Sequence, residues 1–243
     1  MQHLGHTRSA SRRDHILQTP DTFVRAPLPG MRNATAIVHV GPAAGAQFTQ
    51  YTAEFAEGGS MAAAAIQRFV YALEGELEIE GRILQPDDYA YLPAGSGPPL
   101  TARGAARAAI IEKPYLPLPG EPAPEFFTRR ETAIAPAALN GDDCVHVRCL
   151  LPDHSAFDFA VNTMVYQPGA ALPQVEIHIM EHGLFMLAGG GIYRLGDCWY
   201  PVTAGDFIWM APYCPQWFGA LGKVPAKYLI YKDWNRHPIG GTP

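Results

Sequence analysis

The stretch Gln174–Gly191, QVEIHIMEHGLFMLAGGG, sets Glu176, His178 and His182 in the spacing E-x-H-x3-H, and six residues separate His182 from Gly189. A carboxylate and two imidazoles suit a divalent ion that accepts mixed nitrogen and oxygen donors, and such an ion serves as a Lewis acid. In an extended chain side chains alternate faces, so all three residues share one side while Ile177 and Ile179 take the other. On a helix Glu176 and His178 would diverge by roughly 200°. His178 and His182 alone would suit a helical i, i+4 pair, but the glutamate of H-E-x-x-H is missing after His178. The pattern predicts a strand. The competing view is a solvated strand end, yet three ligand-type side chains in an apolar stretch are costly without a partner.

A fourth candidate is Gln216, eleven residues after Gly205 in AGDFIWMAPYCPQW, beyond an expected strand and a Pro-rich turn. Four ligands from two strands leave one or two positions open on a five- or six-coordinate ion. Zinc prefers four-coordinate nitrogen and sulfur surroundings, and no cysteine lies in the first motif. Two imidazoles, a carboxylate and an amide suit Mn²⁺ best, with Fe²⁺ or another divalent ion next. Tyr193 follows two residues after Gly191. Tyr228, Ile230 and Lys232 share one face of the last predicted strand. An inward Lys232 would need an anion, such as a substrate carboxylate; an outward one would sit at a strand end and reach water.

The elements that must position these residues are short. The chain has 243 residues, 48% hydrophobic and 17% charged, with 24 glycines and 23 prolines. That length supports a sizeable core in one large or two small domains, and short apolar runs between Gly and Pro favour an all-β protein. A net charge of −5 argues against nucleic acid or an anionic membrane as the main partner. No apolar run approaches a membrane span. The basic N-terminus lacks the hydrophobic segment of a secretory signal. Four scattered cysteines without a CxxC pair read as reduced thiols, hence a cytoplasmic expectation.

Residues 1–20 read as a mobile arm or peripheral strand, and the proline-rich 19–30 as no central strand. Strands are expected from Ala34 to Val40 and from Gln47 to Phe55. The run FVYALEGELEIEGRILQPDDYAYLPAG and the later FMLAGGGIYRLGDCWYPVTAGDFIWMAP share a layout of strand, Gly, strand, turn-Asp-aromatic and Pro. This is an internal repeat of about 115 residues. Aligning Gly75 with Gly189 puts Ala62, Ala64 and Arg68 where Glu176, His178 and His182 stand. Aligning Asp88 with Asp206 puts Pro98 opposite Gln216. The expected organisation is an N-terminal segment (1–35), a barrel without metal ligands (36–112), a linker with five prolines (113–126), and a metal-binding barrel (127–243).

The two motifs resemble the cupin signatures G-x5-H-x-H-x3,4-E-x6-G and G-x5-P-x-G-x2-H, in permuted form. Glu176 takes the first His slot, His182 the Glu slot and Gln216 the last His slot; Pro212 lies one residue late and Tyr213 replaces the Gly. The resemblance implies a bicupin, two jelly-roll-like barrels in tandem. The run VEIHIMEHGLFMLAGGGIYRLGDCWYPVTAGDFIWMAPYCPQWFGALGKVPAKYLIYKDWNRHP narrows it further: it resembles the (S)-ureidoglycine aminohydrolase family, as do TPDTFVRAPLPGMRNA and YLPLPG. That likeness implies Mn²⁺ held by Glu176, His178, His182 and Gln216, and substrate contacts from Tyr193, Tyr228 and Lys232. It also implies release of ammonia from ureidoglycine to give (S)-ureidoglycolate, in purine breakdown, by a homo-oligomer. Glu176 would move a proton besides serving as a ligand, and Lys232 would hold the substrate carboxylate. The rival expectations are a cupin oxygenase or decarboxylase, which usually keeps three His and a Glu, and a non-enzymatic ligand-binding cupin.

Overall fold

The computed structural model describes residues 6–95 and 98–236. The last residues of the family-like run, and the first five of the chain, lie outside the described part. Among the described residues there is no α-helix, only strands and three short 3-10 turns. Among the described residues no helix is long and apolar enough to cross a membrane.

Two compact units form. One comprises residues 24–134, the other residues 1–23 together with 135–243. Hence the strands Ala10–Ser11 and His15–Gln18 go with the second barrel, and Phe127–Arg130 with the first. Ala10–Ser11 and Phe127–Arg130 are edge strands, His15–Gln18 lies next to the first of them, and all three cross the boundaries drawn from sequence. Edge pairing leaves little trace in a hydrophobic pattern, because one side of such a strand meets no neighbour.

In the second unit an eight-stranded sheet runs, in spatial order, Ala10–Ser11, His15–Gln18, Phe207–Met210, His182–Ala188, Ala226–Asp233, Phe159–Tyr166, Asp142–Cys149 and Ala137–Leu139. A three-stranded sheet of Cys198–Thr203, Gly190–Leu195 and Gln216–Ala220 completes the unit. Their inner faces share one core, in which Leu184, Met186, Tyr193, Ile208, Phe218 and Tyr228 are almost fully buried. Alternation supplies this core: along Ala226–Asp233, residues 226, 228 and 230 belong to it, as a strand with period two requires. The first unit is built likewise around Tyr51, Val70, Leu77, Ala90, Leu100 and Ile110. Its sheet has nine strands, with Met31–Val40 paired to the long Thr49–Met61.

The repeat read from sequence has the same local geometry in both units. Gly75 and Gly189 both adopt left-handed φ, 70° and 64°. A Cβ at Gly75 would lie 2.2 Å from the Ala105 carbonyl oxygen, and one at Gly189 2.5 Å from that of Pro225. Both positions therefore require glycine. The Asp88 carboxylate accepts from the Gln85 backbone N–H at 3.1 Å, and Asp206 from that of Thr203 at 2.9 Å. These are the same turn, made twice. In register, Arg68 pairs across to Leu92 as His182 pairs to Met210. Arg68 is 5% exposed and forms an ion pair with Glu112 at 2.6 Å, where the second unit has His182 beside Lys232.

His39 gives this unit a pH-dependent stability. It is buried, with Nε2 2.8 Å from Thr52 Oγ1. Burial, with Arg107 adding repulsion, pushes its pKa down to about 3. An unfolded histidine titrates near 6.5, so the unfolded chain binds the extra proton first. Its contribution is intact above pH 6.5 and is lost as pH falls towards 3. At pH 5 the loss is about 2 kcal/mol. Urea midpoints at pH 7.5 and 5 should show the wild type losing about that much more stability than His39→Gln; equal losses would refute the assignment.

Candidate metal centre

The strand expected across Glu176–His182 is only partly present. Glu176 makes an isolated antiparallel bridge with Gln216. Residues 177–181 are irregular, with a bend at Ile179–Met180, and His182 opens the strand His182–Ala188. Same-side placement therefore comes from a looped segment, not from pleat parity. The physical reason lies in the partners. Glu176 pairs with the three-stranded sheet, while His182 pairs with Met210 and Lys232 of the eight-stranded one. The chain must change sheets between them.

Backbone hydrogen bonds fix that crossing. The Glu176 N–H donates to the Gln216 carbonyl at 2.8 Å, and the Gln216 N–H returns a bond to the Glu176 carbonyl at 2.9 Å. The Tyr213 N–H donates to the His178 carbonyl at 2.7 Å. Tyr213 stands in the motif's glycine slot and keeps a glycine-like conformation, with φ of 65°. Left-handed backbone at such a residue costs on the order of 1–3 kcal/mol, and the bond to His178 is one of the contacts that hold it.

All seven residues singled out in the sequence line one cavity of about 200 Å³: Glu176, His178, His182, Tyr193, Gln216, Tyr228 and Lys232. Leu139, Asn140, Met164, Leu172 and Ile230 complete its wall. Glu176 Oε2 and His178 Nε2 are 3.1 Å apart. The His178 and His182 rings meet edge-on, with centroids 5.3 Å apart. His182 is 2% exposed and its Nδ1 has no hydrogen-bond partner among the described residues. An unpaired buried group of this kind costs about 1–3 kcal/mol, and a ligand in the cavity can offset that cost. Burial first, then Lys232 and His178, hold the His182 pKa well below the usual imidazole value, so the ring is neutral and free to offer a lone pair. One carboxylate, two imidazoles and an amide oxygen form a donor set that fits a divalent metal.

Two tyrosines of the wall, Tyr193 and Tyr228, belong to an aromatic cluster. Tyr193 donates to Gln216 Oε1 at 3.4 Å. Tyr228 shares a 2.9 Å hydrogen bond with Tyr166, whose ring packs edge-on against Phe218. Burial raises the pKa of Tyr193 and of Tyr228 well above 10, so both remain neutral hydroxyls. Lys232 lines the cavity from the last strand; burial lowers its pKa while Glu176 opposes that shift. Sequence reasoning missed Tyr166. No spacing links it to Tyr228, which lies 62 residues further along the chain.

These barrels and this donor arrangement define a cupin. A cupin domain model matches residues 162–231, which spans the site. Over 242 residues the chain is 40% identical to (S)-ureidoglycine aminohydrolase of Arabidopsis thaliana, covering 97% of this chain and 80% of that protein. It is also 30% identical to (S)-ureidoglycine aminohydrolase of Escherichia coli K12, over 90% of this chain and 88% of that one. The crystal structure of a putative glyoxylate-induced protein from Pseudomonas aeruginosa is similar throughout: TM-score 0.87 and 30% identity, over 95% of this chain and 92% of the other. The chain belongs to the (S)-ureidoglycine aminohydrolase family.

Gln216→Glu tests the amide. It keeps an oxygen donor but adds a negative charge beside Glu176, which weakens Lewis acidity. Metal content by elemental analysis should fall little while kcat falls by roughly 10-fold or more. Unchanged turnover would remove Gln216 from the metal's ligands.

Proposed function

We propose that the cavity binds (S)-ureidoglycine and exchanges its amino group for hydroxyl: ureidoglycine and water give (S)-ureidoglycolate and ammonia. The observation that carries this reading is the convergence of all seven family-matched side chains on one cavity. Glu176, His178, His182 and Gln216 would hold Mn²⁺. The ion supplies Lewis acidity at the reacting carbon's substituents when bound.

The protein's own groups account for the rest. The substrate is a carboxylate whose α-carbon bears an amine and a ureido nitrogen. Lys232 offers it an ammonium in an otherwise apolar wall of Leu139, Met164 and Ile230. A cation surrounded this way favours an anionic guest strongly, because little water competes. The neutral hydroxyls of Tyr193 and Tyr228 donate hydrogen bonds that orient the carboxylate and ureido groups. Glu176 takes a proton from the incoming water and delivers it to the leaving nitrogen, its second oxygen lying within reach of His178. Four free cysteines fit a reducing compartment, and we place the enzyme in the cytoplasm as a homo-oligomer.

Purified protein with measured Mn²⁺ should release ammonia from freshly generated ureidoglycine. A metal-loaded sample that does not release it would overturn the reading. Lys232→Met keeps most of the stem and removes the charge. A charged hydrogen bond is worth about 1.5–3 kcal/mol, and 1.4 kcal/mol is one decade. KM should therefore rise about 10-fold or more at unchanged metal content. A KM within about twofold of wild type would show that Lys232 does not anchor the carboxylate.

A further inference from the structure

We propose a second metal site, for Zn²⁺, built from Asp14, His15 and Cys214 and separate from the cupin cavity. One ligand atom from each lies within 4.8 Å of the other two. The residues are 200 positions apart in sequence at the widest, so the fold and not local chain geometry assembles them. None of the three lines the cavity around Glu176 and Lys232. The donors are a carboxylate oxygen, an imidazole nitrogen and a thiol sulfur, a combination that selects zinc over manganese.

The site is braced on every side. His15 Nδ1 is 2.9 Å from Asp14 Oδ1, and His15 Nε2 is 2.9 Å from the Tyr200 hydroxyl. A histidine that ligates through one ring nitrogen commonly donates its other N–H to a fixed oxygen, which sets tautomer and ring orientation. Tyr200 is that oxygen here, leaving Nδ1 to the metal. The Ala211 backbone joins the two halves: its N–H donates to the Asp14 carbonyl at 2.9 Å, and its carbonyl accepts from the Cys214 N–H at 3.1 Å. Gly196 leaves the room required, since a Cβ there would stand 2.9 Å from Asp14 Oδ2. His15 and Cys214 are 2% and 4% exposed, whereas the Asp14 side chain is 45% exposed. The ion thus enters past Asp14, and water occupies the fourth tetrahedral position.

On binding, the Cys214 thiol releases its proton to solvent and the sulfur becomes a thiolate ligand. The Asp14–His15 hydrogen bond gives way to two metal bonds, and the imidazole proton shifts from Nδ1 to Nε2, which then donates to the Tyr200 hydroxyl. The consequence is a pin between the N-terminal strand His15–Gln18 and the turn carrying Tyr213, whose N–H holds His178.

Cobalt reads this site without interference, because no cysteine lines the cupin cavity and a thiolate is the source of the band. The full chain, first saturated with Mn²⁺, is titrated with Co²⁺ and followed in the near ultraviolet. A thiolate-to-cobalt charge-transfer band should grow to one Co²⁺ per chain and be displaced by Zn²⁺. Cys214→Ser should abolish it. Should that variant fold poorly, Asp14→Asn, at a half-exposed position, should weaken cobalt binding about 10-fold or more. Tyr200→Phe should cost about 10-fold through loss of the bracing oxygen. No band in the wild type means an ordinary Asp–His hydrogen bond and overturns the site. A band that survives in Cys214→Ser overturns it too, since another cysteine would be its source. His178→Gln should lose ammonia release and keep the band, so failure of the ureidoglycine reading and failure of the zinc site are told apart.

Discussion

The reciprocal backbone hydrogen bonds between Glu176 and Gln216 are the constraint on which the candidate centre depends. They are two ordinary bonds, 2.8 and 2.9 Å long, yet they register two segments 40 residues apart in the chain. A metal ligand set tolerates little looseness, and side chains hung on long loops lose precision. Here the irregular stretch 177–181 is short and tied at both ends, at Glu176 by the bridge and at His182 by the strand it begins. The Tyr213 N–H to His178 bond ties the middle. Three anchors fix five irregular residues.

The same sheet positions serve opposite purposes in the two barrels. Where the second has a neutral His182 next to Lys232, the first has Arg68 bonded to Glu112 and to the Ala62 carbonyl. A buried pair of this kind satisfies itself: the guanidinium offers donors in a fixed fork, and the carboxylate with Tyr51 completes the network. At this position the first barrel spends its charges on each other. In the second barrel His182 Nδ1 has no hydrogen-bond partner among the described residues, and Lys232 lines a cavity.

The sequence carried the repeat, the strand runs and the residues that now line the cavity, because their spacing follows from period-two alternation and from glycines with no substitute. Gly75 and Gly189 are legible for that reason: the next segment's carbonyl lies where a Cβ would be. The looped course of 177–181 was not legible. An extended strand and a short loop that crosses between sheets both bring Glu176, His178 and His182 to one side, and E-x-H-x3-H does not distinguish them. The strands that join a sheet from far along the chain were hidden for a related cause. His15–Gln18 joins a strand nearly 190 residues away, Phe207–Met210, and no local pattern announces such a partner. Tyr166 and Asp14 were missed because each acquires meaning only through a residue distant in sequence.

Glutamine in the last ligand slot also has a structural logic beyond its donor atom. Gln216 begins the strand Gln216–Ala220, is 4% exposed, and presents Oε1 to the Tyr193 hydroxyl. A histidine there would give the site a third ring of neutral or positive character, while a glutamate would place a second carboxylate beside Glu176 in a poorly solvated cavity, where like charges repel strongly. An amide avoids both. It is neutral at every pH the fold tolerates, accepts through its oxygen, and spares Lys232 a competing anion. Glu176 and Lys232 are then the cavity's own carboxylate and amine, and under the function proposed above a guest that brings its own carboxylate finds the lysine still available. The choice of ligand at one end of the cavity thereby sets the charge that the other end can recognise.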